Sequence, residues 1–164
     1  MSLRLESDKV HSCGGRAALT DSTTNRSSMT LESDLASVDP VEAKAEQLAR
    51  EAGFDEDTAS QIAMVAREAV INAILHGNKK DPAKHVQVSF ELNDESLRIK
   101  IADEGLGLDP DTVPDPLAPE NILRSSGRGI FLMRAIMDEV HFHQLEPGTE
   151  IEMIKHRVKK ELSA

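Results

Sequence analysis

The feature that most constrains this chain is a change of hydrophobic period near its middle. From Pro40 onward Val41, Ala45, Leu48 and Ala49 recur at helical spacing and Gly53 offers a stop, so a first helix is expected there. Asp55 or Asp57 can cap a second helix, running to about Gly77, with Ile62, Val65, Ala69 and Ile74 as its buried stripe. The period then becomes two. Val86, Val88, Phe90 and Leu92 alternate with polar residues, Asn93-Asp94 turns the chain, and Leu97, Ile99 and Ile101 alternate with Arg98 and Lys100. A loop holding four of the seven prolines follows, and residues 128–138 return to helical spacing. Two last strands are expected near Val140–Leu145 and Thr149–Lys155, joined by Pro147-Gly148. Antiparallel strand pairs with helices gathered on one face make an α+β two-layer sandwich.

Residues 1–31 contain only five of Leu, Ile, Val and Phe, against 35 in residues 32–164, and are rich in Ser and Thr. A segment so poor in apolar surface is expected to be a mobile, disordered leader, with the folded domain over 32–158 and a tail over 159–164. Met29 is an alternative start. The net charge of −10 and the absence of Trp and Tyr disfavour nucleic acid, which needs a basic face and, for single strands, stacking rings. No apolar run approaches the ~20 residues of a membrane span. The single cysteine, Cys13, cannot form an internal disulfide and reads as a spare thiol; a cytoplasmic protein with a protein or small-molecule partner is expected.

Three blocks carry candidate chemistry. Glu68, Asn72 and His76 are spaced by four, giving one polar stripe on an otherwise apolar helix, which is either a solvent-facing edge or the wall of a site. Asp103, Gly105 and Gly107 follow a strand, where Asp can accept from an amino group and glycine lets the backbone approach a ligand; the same pattern also makes ordinary strand-exit turns. Arg124, Gly127, Arg128 and Gly129 open a helix, whose N-terminus suits phosphate, or is simply a flexible cap. Six of the nine glycines fall in these blocks or in the final turn, which favours one composite site.

The series E-x-x-x-N-x-x-x-H-G, D-x-G-x-G, a G-x-G loop opening a helix, and Gly148-Thr149 entering the last strand resembles the ATP-binding (GHKL, or Bergerat) fold of gyrase, histidine kinases, heat-shock chaperones and mismatch-repair proteins. The wording E-A-V-I-N-A-I-L-H-G and D-E-G-L-G is most similar to bacterial anti-sigma factors that are also serine/threonine-protein kinases. The likeness covers about residues 33–156 and implies a mixed, mainly antiparallel sheet, ATP and Mg²⁺. It further implies that Asn72 binds the Mg²⁺ bridging the phosphates and that Glu68 is general base. Asp103, supported by Thr149, would hold the adenine amino group, with Gly105 and Gly107 beside base and sugar. The loop from Asp109 to Ser126 would be a lid, Gly127, Arg128 and Gly129 a phosphate cradle, and Arg124 or Arg128 a counter-charge. His76 reads first as a packing or lid-contact residue. The implied partners are a sigma factor and a STAS-type antagonist protein, with the chain as a homodimer.

No phosphoacceptor-histidine hairpin precedes the domain, which argues against a stand-alone two-component histidine kinase. His141 and His143 alternate on a strand without a third nearby ligand, Asp109, Asp111 and Asp115 lack the glycine and glutamate of a calcium loop, and the basic run from Lys155 reads as a surface patch. Two functions stay open: a kinase that sequesters a sigma factor and phosphorylates its antagonist, and a non-catalytic ATP-dependent binding switch.

Overall fold

The computed structural model describes residues 6–8, 23–106 and 125–159. Strands β1 (Glu6–Asp8) and β2 (Asn25–Glu32) precede helices α1 (Asp39–Glu51) and α2 (Glu56–Asn72). Then come β3 (His85–Leu92), β4 (Ser96–Ala102), α3 (Ser125–Ile136), β5 (Glu139–Gln144) and β6 (Thr149–His156). The strands form one sheet in the order β1-β2-β3-β4-β6-β5. Among the described residues each of its five pairings is antiparallel, in keeping with the expected α+β sandwich on a mainly antiparallel sheet, with no parallel pair among them.

Alternation decides which face is covered. Val86, Val88 and Phe90 of β3, Leu97, Ile99 and Ile101 of β4, and Ile151 and Met153 of β6 turn toward the helices and are buried. They meet Val41, Ala45 and Leu48 of α1, Ile62, Val65, Ala66 and Ala69 of α2, and Met133 of α3 in one continuous core. Asp55, rather than Asp57, caps α2: its carboxylate accepts the Thr58 N–H at 2.7 Å. Arg67 of α2 reaches Asp39 and Glu42 of α1 at 3.0 and 2.8 Å, and these contacts pin the two helices at one end.

Composition alone assigns residues 1–31 to a mobile leader, and here the structure differs. β2 begins at Asn25 and pairs with the whole of β3, so the ordered sheet takes in residues below the expected boundary at 32. Only Met29 and Leu31 of this strand are buried. Its outward residues match polar partners on β3, Arg26 with Glu91 at 3.0 Å and Thr30 with Gln87 at 2.8 Å. A strand with two apolar side chains looks like a linker by composition. Met29 lies inside β2, so a chain starting there would lack half the strand. The basic run at the end is also more than a surface patch: Arg157 donates from Nε to the Ala52 carbonyl and from Nη1 to the Asn93 carbonyl, both at 2.9 Å, and closes the end of the sandwich.

Past Asn72 the helix widens into one π turn, Ala73–Gly77. The Asn78 N–H donates to the Ala73 carbonyl and the Lys80 N–H to that of Ile74, both at 2.8 Å. Lys79 and Lys80 both adopt left-handed φ, 52° and 56°, where glycine or asparagine normally ends a helix. For a lysine that conformation costs roughly 1–2 kcal/mol.

Candidate functional site

Glu68 and Asn72 are half-buried and sit one turn apart on α2, flanked by the buried Ala69 and Val70. α3 crosses directly over them. A Cβ built on Gly129 would stand 2.9 Å from Asn72 Nδ2 and 3.7 Å from Glu68 Oε2, so any larger residue would press α3 off the two polar groups. Gly129 was expected to present its N–H to phosphate. It is the fifth residue of α3, however, and lies past the free N–H groups of the first turn, to which Gly127 belongs. Its contribution is closeness of approach. The side chain of Arg128, and Arg124 and Gly107 altogether, lie outside the described residues, as do Cys13 and the expected lid from Asp109 onward apart from the backbone of Ser125 and Ser126.

The π turn changes the expected stripe. Helical spacing of four puts Glu68, Asn72 and His76 in line, but the wider turn rotates His76 away from that line, leaving it exposed at the cleft margin.

At the other end Asp103 is held by backbone. Its Oδ1 accepts the N–H of Gly105 at 2.9 Å and of Thr149 at 3.2 Å, while its own N–H donates to the Thr149 carbonyl at 2.9 Å. Its Oδ2 packs against Gly77, where a Cβ would collide with the carboxylate. Gly105 in turn abuts the Gly77 carbonyl, and Gly148, at φ 105°, abuts the Asp103 carbonyl. Three segments of main chain, around Gly77, Asp103–Gly105 and Gly148–Thr149, thus meet around the Asp103 carboxylate, whose Oδ2 accepts no hydrogen bond from the described residues and can take a ligand's N–H. Burial pushes the Asp103 carboxyl above its ordinary 3.8, opposed by the two backbone N–H groups and by Lys84.

The sign of that shift makes a prediction. A carboxyl raised in the fold contributes stability that is complete below the unfolded value and is lost as pH rises through the folded value. Asp103→Asn removes this loss, so its stability relative to wild type should increase between acidic and neutral pH in urea titrations. Equal pH dependence of the two proteins would show that the carboxyl is not raised.

Sequence reasoning missed Asn78. It is 1% exposed, and its amide donates to Ser33 Oγ and to the His85 carbonyl, both at 3.0 Å, while its Oδ1 accepts the Glu104 N–H at 2.8 Å. It ties the end of β2, the start of β3 and the exit of β4 together beneath the site. Its place directly after His76-Gly77 was the available signal.

Between the Asn72 and Asp103 ends lies a cleft of about 290 Å³. Ile130, Phe142, Ile151 and Leu106 give it apolar walls, and Asn72, His76, Asp103 and Thr149 bring polar atoms to it. Apolar walls with a few convergent polar groups suit a flat heterocycle hydrogen-bonded at one edge. Asn72 offers one neutral oxygen beside the Glu68 carboxylate, and such a hard, sparse donor set suits Mg²⁺, which keeps waters and takes phosphate oxygens. Elsewhere, His143 Nε2 lies 3.1 Å from Glu152, whose carboxyl is held low by His143, Lys100 and Arg98 against the cost of its burial. Among the described residues no group of three or more His, Cys, Asp or Glu could hold a metal.

A two-layer sandwich with its helices on one face and this glycine-lined cleft beneath α2 and α3 defines an ATPase domain of the histidine kinase type. The family model described as "Histidine kinase-like ATPase domain" matches residues 31–155, and the chain belongs to that family. It is 38% identical over 117 residues to the serine-protein kinase RsbW of Staphylococcus epidermidis, covering 67% of this chain and 71% of that one. It is 36% identical over 108 residues to the anti-sigma F factor of Anoxybacillus flavithermus, covering 63% of this chain and 73% of that protein. Among solved structures, the RsbU and RsbW domains of Rv1364c from Mycobacterium tuberculosis match in fold, with TM-score 0.55 at 19% identity over 79% of this chain and 32% of that one.

Proposed function

We propose that the protein is an ATP-dependent serine/threonine kinase that also restrains a sigma factor, its phosphoacceptor being the sigma factor's antagonist. The observation that carries this reading is the apposition of Glu68 and Asn72 with Gly129, at one end of a cleft whose other end is the backbone-anchored Asp103. Relatives at 36–38% identity bearing the names serine-protein kinase and anti-sigma factor support it.

In this reading Asp103 Oδ2 accepts the adenine amino group, and Thr149, through its main chain, keeps the carboxylate aimed. The apolar walls hold the ring flat. Asn72 would hold Mg²⁺, which would supply charge neutralisation at the phosphates. The acceptor hydroxyl bonds to the γ-phosphorus as the bond to the β–γ bridging oxygen breaks and ADP leaves; Glu68 takes the hydroxyl proton. Gly127, in the first turn of α3, would offer its N–H to phosphate, and Arg124 or Arg128 would supply the counter-charge to the developing negative charge. The family likeness supports a STAS-type antagonist, a homodimeric state and a cytoplasmic site of action as parts of this reading. No helix among the described residues is long and apolar enough to cross a membrane.

Calorimetric titration with ATP and ADP, with and without Mg²⁺, tests the site. Asp103→Asn should weaken ATP by about 10- to 100-fold, the loss of one charge-assisted hydrogen bond, and Asn72→Ala should remove the magnesium dependence. Labelled-phosphate transfer to a STAS-type antagonist then tests the kinase. Tight ATP binding and sigma restraint with no transfer to any antagonist would favour a non-catalytic switch.

A further inference from the structure

We infer that Lys79 is a polyphosphate-binding cation of the cleft, held in place by a helix end that a glycine would form with less strain. The inference rests on the nucleotide reading above and deepens it. α2 ends through its π turn on two consecutive lysines in the left-handed region, and one of them, Lys79, lines the cleft that Asn72, His76 and Asp103 also line. Strain of this kind persists where the surroundings fix it and gathers at binding sites, and of the two strained lysines only Lys79 lines the cleft. The surroundings here do fix it. Asn78, immediately before, is buried with all its amide hydrogen bonds made, and the Lys80 N–H is tied back to Ile74.

Charge gives the direction. Lys79 is the only lysine or arginine among the described residues lining the cleft, and among the described residues its ammonium has no ion-pair or hydrogen-bond partner. By contrast Lys100 meets Glu150 and Glu152, and Lys155 meets Asp138. A nucleotide triphosphate approaching a chain of net charge −10 needs local cations, and a flexible ammonium on the cleft wall supplies one as a point charge. Lys80 provides an internal control, because it carries the same backbone strain but lines a separate cavity with Glu32, Ser33 and Asp34.

The test uses the full chain with Lys79→Gly, Lys79→Arg and Lys80→Gly, measuring thermal unfolding and the affinities for ATP, ADP and adenosine. Lys79→Gly should leave the Tm unchanged or raise it by up to about 4 °C, as relieved strain outweighs added chain entropy. It should weaken ATP by about tenfold and ADP by less, leave adenosine unchanged, and flatten the salt dependence of ATP binding. Lys79→Arg should restore most of the affinity, and Lys80→Gly should match wild type. Wild-type ATP affinity in Lys79→Gly overturns the inference and leaves the nucleotide reading standing. Equal losses for ATP and adenosine also overturn it, by showing that the residue shapes the cleft without meeting phosphate. A wild-type chain that binds no ATP overturns the nucleotide reading and this inference together.

Discussion

Glu68→Gln should lower the rate of phosphate transfer to the antagonist by about 10²- to 10⁴-fold, the range typical for loss of a positioned general base, while ATP affinity stays within about twofold of wild type. The substitution keeps the shape of the side chain and removes only its capacity to take a proton, so the close approach of α3 at Gly129 is undisturbed. Single-turnover transfer of labelled phosphate measures the first quantity and calorimetry the second. Unchanged transfer would move the proton acceptor to another residue. A parallel fall in ATP affinity would mean that the carboxylate serves the metal and phosphates, not the acceptor hydroxyl.

The second large effect is expected at Gly77. A methyl group there collides with the Asp103 carboxylate, which must swing off Gly77 and give up hydrogen bonds from Gly105 and Thr149. Gly77→Ala should therefore destabilise the fold by about 2–3 kcal/mol and abolish measurable ATP binding. Gly53 is the control: at φ 89° it too has a left-handed backbone, but nothing lies within 4 Å of its built Cβ. Gly53→Ala should cost about 1–2 kcal/mol from strain alone and leave ATP affinity unchanged. Urea unfolding and calorimetry on both variants decide it; retained ATP binding in folded Gly77→Ala would mean that Asp103 is not the purine acceptor.

What could be read without coordinates depended on the range of the interaction. The switch from helical to two-residue period located α2, β3 and β4, because Val86, Val88 and Phe90 and their neighbours bury one face whatever surrounds them. β2 escaped because Met29 and Leu31 are its only buried apolar residues and its other contacts, such as Arg26 with Glu91, span 65 residues. Glu68, Asn72 and Asp103 were legible as polar residues interrupting apolar patterns. The place of Gly129 was not, since nothing in a G-x-G run says whether a glycine frees an N–H or admits a neighbouring helix. The π turn was equally hidden: it depends on how Asn78 is satisfied by Ser33, His85 and Glu104, three segments no local pattern connects. The left-handed lysines ran against local expectation, and a residue that defies local preference beside a cleft is where function is worth seeking.

The amide of Asn78 also has a consequence for the order in which the molecule assembles. Its partners lie 45, 7 and 26 residues away along the chain. It is satisfied only once β2, β3 and the exit of β4 have all come together; until then it is a polar group being drawn from water without partners, at about 1–3 kcal/mol. Contacts between distant segments form late, after the loops between them have closed. The floor of the cleft is therefore among the last parts of the domain to become native, and the onset of ATP binding during refolding marks the end of folding, not the collapse that precedes it.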